Sequence, residues 1–182
     1  IIMAIFTNVV VPAAGEGGNG GGIIKIAQTN WAGTAYHDPG NSPDTDEDDI
    51  TGLDCSITPE LTSNKILVIY RINMSIGGTT GGSRLKRKIG SGSYSKICLG
   101  NTSQSRSVTT STVSVHQSEW RNNEIVHFLD SPNTTSTVTY RISFQTHDGR
   151  AFSINRSMTD SNSTLLDNAR CTSSLTLMEF SS

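Results

Sequence analysis

Charge is scarce in this chain. Asp, Glu, Lys and Arg make up 16% of its 182 residues, and the hydrophobic fraction, 34%, is also below ordinary globular usage. The 14 basic and 16 acidic residues nearly cancel, leaving a formal net charge of -2. No long-range field therefore favours a nucleic acid or an anionic membrane. No run of about 20 apolar residues occurs, so no transmembrane helix is expected. Ile1 to Val11 has an apolar patch but neither a basic n-region nor a clear cleavage site, so it does not read as a signal peptide. The chain opens on Ile, not Met, as a piece of a longer polypeptide would.

Cysteine is rare and odd in number. Cys55, Cys98 and Cys171 share no metal-ligand spacing, and a secreted disulfide scaffold would carry a denser, even set. They read as small buried thiols kept reduced, which fits folding in a reducing cytoplasm. The usual catalytic signatures are missing too. His37, His116, His127 and His147 are scattered, with no HExxH arrangement. There is no GxSxG elbow. The glycines of Gly77 to Ser83 lack the Lys-Ser/Thr of a phosphate loop.

Ser, Thr, Asn and Gly fill the space left by charged and apolar residues. Ser, Thr and Asn compete for backbone hydrogen bonds, and Gly loses the most entropy on ordering, so long helices are disfavoured. Short strands joined by polar turns are favoured instead. The most regular stretch is Lys65 to Ile76, KILVIYRINMSI. Its period of two puts Ile66, Val68, Tyr70, Ile72, Met74 and Ile76 on one face of a strand. Leu67 and Ile69 start the other face, which turns polar at Arg71, Asn73 and Ser75. This is the expected central strand, its first half covered on both sides.

Other expected strands are Ile23 to Thr29, Trp31 to His37, Ile50 to Thr58, Glu124 to Leu129, Thr137 to Thr146, Ala151 to Arg156 and Ser173 to Phe180. Arg84 to Ile89 and Ser93 to Leu99 form a hairpin, and Asp148-Gly149 signals another. His37 to Asp49, Gly77 to Ser83 and Thr159 to Ala169 are loops, the second a mobile turn. The fold class is all-β: a jelly-roll-like antiparallel β-sandwich. It comprises residues 23–182. Residues 1–22 are an N-terminal apolar arm and a Gly-rich linker, GEGGNGGG, which cannot hold a strand or helix by itself. Ile1, Ile2, Ile5, Phe6, Val9 and Val10 are the arm's candidates for docking another protein, because so many β-branched and aromatic residues need a cover.

Candidate binding groups come from loops and from one charged strand. Asp44 to Asp49 is a carboxylate run, within which Asp46, Asp48 and Asp49 form a weak cation site. Hard cations want about six to eight oxygens, and the run lacks EF-hand spacing. Arg84, Lys86, Arg87 and Lys88 form the basic cluster. Its first reading is a solvated edge strand whose charges block edge-to-edge pairing. Its second is an anion-binding surface with Arg84 and Lys86 as contacts. Without interleaved aromatics it does not suit nucleic acid. Trp120, Arg121, Asn122 and Asn123 combine a ring with hydrogen-bonding groups in one loop-like segment, the chemistry that holds a sugar. Trp is nonetheless more often partly buried core. No pair of carboxylates facing across a cleft, as a glycosidase requires, is visible.

Three stretches together carry a resemblance: CSITPELTSNKILVIYRI (Cys55 to Ile72), HFLDSPNTTSTVTYRISF (His127 to Phe144) and TSSLTLMEF (Thr172 to Phe180). In this combination and order the chain resembles C-terminal β-domains of tail-fibre and related structural proteins of tailed phages, especially those of marine and cyanobacterial hosts. The resemblance covers most of the chain from Ile23 onward. It implies a non-enzymatic β-sandwich knob, homotrimeric, displayed on a virion assembled in the bacterial cytoplasm, and binding a host surface receptor such as a glycan. No cofactor is implied. The alternative is a capsid decoration protein with the same knob, docked through its N-terminal arm. Loops would carry recognition while the sandwich positions them.

Overall fold

A computed structural model describes residues 6–10, 22–38, 47–78, 80–114 and 121–181. Strand accounts for 53% of the chain and helix for 3%, so the protein is all-β. The strands are β1 (Phe6–Val10), β2 (Ile23–Trp31), β3 (Ala35–His37), β4 (Asp48–Asp49), β5 (Cys55–Ile57), β6 (Lys65–Ile76) and β7 (Thr80–Ile89). They continue with β8 (Ser95–Ile97), β9 (Ser111–Ser114), β10 (Arg121–Asp130), β11 (Val138–Thr146), β12 (Phe152–Ile154) and β13 (Ser173–Phe180). They form two antiparallel sheets. In the first, which we call sheet A, β6 is flanked on one side by β10 and on the other by β13 and β12; β2 and β1 extend it beyond β13, and β3 beyond β12. In sheet B, β11 and β7 are central, with β4 and β5 on β11 and β8 and β9 on β7.

Sheet alternation explains the core. The even-numbered face of β6, Ile66 to Ile76, is wholly buried, as its period of two predicts. Opposite it lie Val138, Tyr140, Ile142 and Phe144 of β11, also wholly buried. Leu175 and Leu177 of β13 share the core with Glu179, the three-residue face expected for that strand. Fully burying one such aliphatic side chain is worth about 1.5–3 kcal/mol, so these facing rows hold the two sheets together. Trp31 is core, packed over Gly33 and Gly52, where an added methyl group would meet its ring at 2.3 and 2.7 Å.

Several expectations are corrected. The outer face of β6 is covered in the reverse order: its polar end, Asn73 and Ser75, is buried, while Leu67 and Ile69 are only half-buried. Asn73 is covered because its Nδ2 donates to Thr172 O and its backbone N–H donates to Ser173 Oγ at 3.1 Å. Gly81 to Ser83 is strand, not mobile turn. A methyl group at Gly81 would lie 2.4 Å from the Phe144 ring, so glycine marks close packing there. Asp148-Gly149 closes no hairpin: a 3-10 turn at His147–Gly149 carries the chain from β11 in sheet B to β12 in sheet A. The basic strand β7 lies inside sheet B, not at its edge. The Arg84–Leu99 hairpin is present, with Leu85 opposite Ile97. Phe6, Val9 and Val10 lie in β1, paired with β2, while Ile1, Ile2 and Ile5 fall outside the described residues.

Candidate functional site: the sheet-crossing end

Strand direction gathers the candidate segments at one end. β6 rises to Ile76, and the antiparallel pairings then fix every neighbour. β3, β6, β9 and β11 run toward this end, and β4, β7, β10 and β12 start from it. Each of the four passages between them, β3 to β4, β6 to β7, β9 to β10 and β11 to β12, crosses from one sheet to the other. The described parts of the acidic run, the glycine turn and the Trp120–Asn123 segment therefore share this end, although far apart in sequence.

Contacts bind the end together. Gly77 N–H donates to Ala151 O at 2.7 Å, and Gly78 packs on the Arg150 side chain. Asn122 Nδ2 donates to Ser114 O at 3.0 Å, joining β10 to β9. Arg121 to Asn123 are the first residues of β10, opposite Ser75 to Asn73, and not a free loop. The strong pairing of β10 with β6 overrides their polar composition. Asn123, Arg150 and Gly77 are exposed. His37 Nδ1 pairs with Asp48 across the two sheets, and the His37 ring lies 5.2 Å from that of Phe152. Trp120 and Asp46 fall outside the described residues.

The basic and acidic candidates meet each other, on the outer face of sheet B. Lys86 Nζ lies 2.7 Å from both Glu47 Oε1 and Asp49 Oδ1, and Lys96 Nζ lies 2.5 Å from Glu47 Oε2. Arg141 bridges Asp49 at 2.8 Å and Asp54. Burial pushes the Glu47 carboxyl up, but hydrogen bonds from Lys86, Lys96 and Ser143 outweigh it and hold the group at about 2. Arg84 is buried, its Nε donating to Val108 O at 3.0 Å beside Glu47. Arg84 is thus a tie inside the molecule, which corrects its reading as an exposed receptor contact. Lys86 is mostly occupied by its two carboxylates.

The weak cation site is corrected as well. Asp48 and Asp49 are consecutive strand residues, so their carboxylates leave on opposite faces, one to His37 and the other to Lys86 and Arg141. Among the described residues no group of three or more His, Cys, Asp or Glu is placed to hold a metal. Cys55 is buried and free, and Cys98 and Cys171 are free and half-buried.

Two buried polar threads escaped the sequence reading, and both start from β10. Tyr70 Oη and Glu124 Oε1 each lie 2.7 Å from Ser83 Oγ, which donates to the carboxylate. Burial pushes the Glu124 carboxyl up, against hydrogen bonds from Ser83 and Ser111. Arg87 Nη1 donates to both oxygens of Asp130 at 2.8 and 2.9 Å, and Tyr140 Oη donates to Oδ2 at 2.7 Å. Both acids alternate with apolar residues in β10, a signal that they face the interior. These acids are far apart along one strand and each is tied into the core, so they serve cohesion of the sheets rather than a cleft.

Comparison of the chain with protein-family models and with curated proteins finds no match. The functional reading therefore rests on the residues and their placement.

Proposed function

We propose that the chain is the jelly-roll-like knob of a tailed-phage virion protein, a homotrimeric tail-fibre tip that binds a host surface receptor and catalyses no reaction. A surface polysaccharide is the receptor class. One observation carries this reading: the segments with binding chemistry, including Asn122, Asn123 and the Gly77–Gly78 turn, share one end of a rigid sandwich. Exposed Asn and Arg side chains beside glycine backbone offer donors and acceptors to sugar hydroxyls. The charged groups elsewhere support the same reading, because Arg84, Lys86, Arg141, Glu47 and Asp49 neutralise one another. The virion is the proposed location.

The second reading is a capsid decoration protein docked through residues 1–22. It is favoured by β1, which lies at the edge of sheet A, a position from which a partner is reached by strand addition.

The test is binding of the purified chain to a panel of bacterial surface polysaccharides, with the length of each polysaccharide measured afterwards. We expect binding without shortening. Asn123→Ala should weaken it about five- to tenfold, the worth of one good hydrogen bond of about 1 kcal/mol, without changing the melting temperature. Shortened product would make the protein an enzyme. Binding to capsids and to no polysaccharide would favour the decoration protein.

A further inference from the structure

The outer face of sheet A presents an apolar row that no described element covers. Register places Ile26 of β2 beside Met178 of β13, Met178 beside Leu67 of β6, and Leu67 beside Leu129 of β10. Ile69 and Ile125 continue it toward the sheet-crossing end. Leu129 is 51% and Ile125 58% exposed, and the other four are half-buried by their neighbours in the sheet alone. β10 has its polarity inverted: Glu124 and Asp130 point into the core, and Ile125 and Leu129 point out.

We infer that this face is where copies of the chain pack against one another, an inference that rests on the multimeric part of the proposed function. Three observations favour a second copy as the occupant. The first is area. Five strands at about 4.8 Å spacing, and eight residues of β13 at about 3.3 Å each, give a plan area of roughly 600–650 Å² before side-chain relief is added. A stable interface takes about 800 Å² from each partner. The second is charge. Arg71 and Lys65 are the cations among the outward residues of β6, and Arg71 Nη2 is held by Thr172 O at 3.2 Å. Two such faces meet with little like-charge repulsion and little attraction for an anionic polymer. The outer face of sheet B, dense with ion pairs, would have to strip water from all of them. The third is shape. A broad flat sheet face complements another of its kind, whereas a peptide would cover only part of it.

The test compares the solution mass of the full chain with that of Ile125→Asp and Leu129→Asp. Both positions are exposed in the single chain, so each variant should keep its far-ultraviolet spectrum. The inference predicts a wild-type mass that is a multiple of 19.5 kDa and variant masses that fall to 19.5 kDa. A wild-type multiple that both variants retain would overturn this face and leave the multimer standing. A wild type of 19.5 kDa would overturn both. If a variant fails to fold, amide exchange on the wild type decides: protection of β10 and of Leu67 to Arg71 should rise with protein concentration. Exchange unchanged over a hundredfold dilution, or a face sealed by the chain's own residues at every concentration, would overturn the inference.

Discussion

Replacing Asn155 by alanine should destabilise the fold by about 4 kcal/mol. Asn155 is wholly buried and sits at φ +60°, in the left-handed region. Its Nδ2 donates to Trp31 O at 2.9 Å and to Gly33 O at 2.8 Å, and its Oδ1 accepts from Ser173 Oγ at 2.7 Å. Its backbone adds bonds to Asn73 O and from Cys171 N–H. One residue thus ties the β2–β3 turn, β6 and β13 where β13 begins. Truncation removes three side-chain bonds and leaves buried groups without partners, at about 1 kcal/mol each and more where water cannot enter. Alanine also tolerates the left-handed backbone less well than asparagine, adding up to about 1 kcal/mol. For a chain of this size, 1 kcal/mol moves the melting temperature by about 2–4 °C, so the fall should be about 8–16 °C. Urea unfolding at fixed protein concentration measures it, because self-association would otherwise shift the midpoint. Asn155→Gly separates the causes: it loses the same bonds but not the backbone tolerance. A loss below about 1 kcal/mol in both variants would refute the reasoning.

Two carboxyls should give opposite pH responses. The Glu124 carboxyl is raised by burial, so the folded state holds the proton more tightly; its stabilisation is present at low pH and is lost as pH rises from about 4.5 through its raised value. Glu124→Gln should therefore flatten the decline of stability above pH 4.5, read from urea midpoints across a pH series. Glu47 is held at about 2, so its stabilisation is present above about pH 4.5 and is lost as pH falls toward 2. Glu47→Gln should cost about 2 kcal/mol at pH 7 and almost nothing at pH 2, in the same series. Gly81→Ala should destabilise by about 1–3 kcal/mol through overpacking against Phe144, whereas Gly22→Ala, with open space at its Cβ, should change thermal melting little.

Core strands were legible because burial on one face writes a period of two, as in Ile66 to Ile76 and Val138 to Phe144. What stayed illegible depends on neighbours that periodicity does not name. Gly81 and Gly82 read as a turn, yet the Phe144 ring and Thr109 crowd them in the folded sheet. Arg84 and Lys86 read as an exposed edge because nothing local says that β8 and β9 will cover β7's far side. Asp148-Gly149 has hairpin chemistry but joins strands of different sheets. The binding segments were picked from composition one by one. That three of them share an end follows from strand direction, which can be counted only after every strand has been placed. Asn155 had no sequence signal at all, since its partners lie on β6, β13 and the β2–β3 turn.

The solution mass of the full chain by light scattering tests the multimeric knob most directly. The proposed trimer requires three chains of 19.5 kDa in one particle at micromolar concentration. A single-chain mass that persists on concentrating the protein would contradict it.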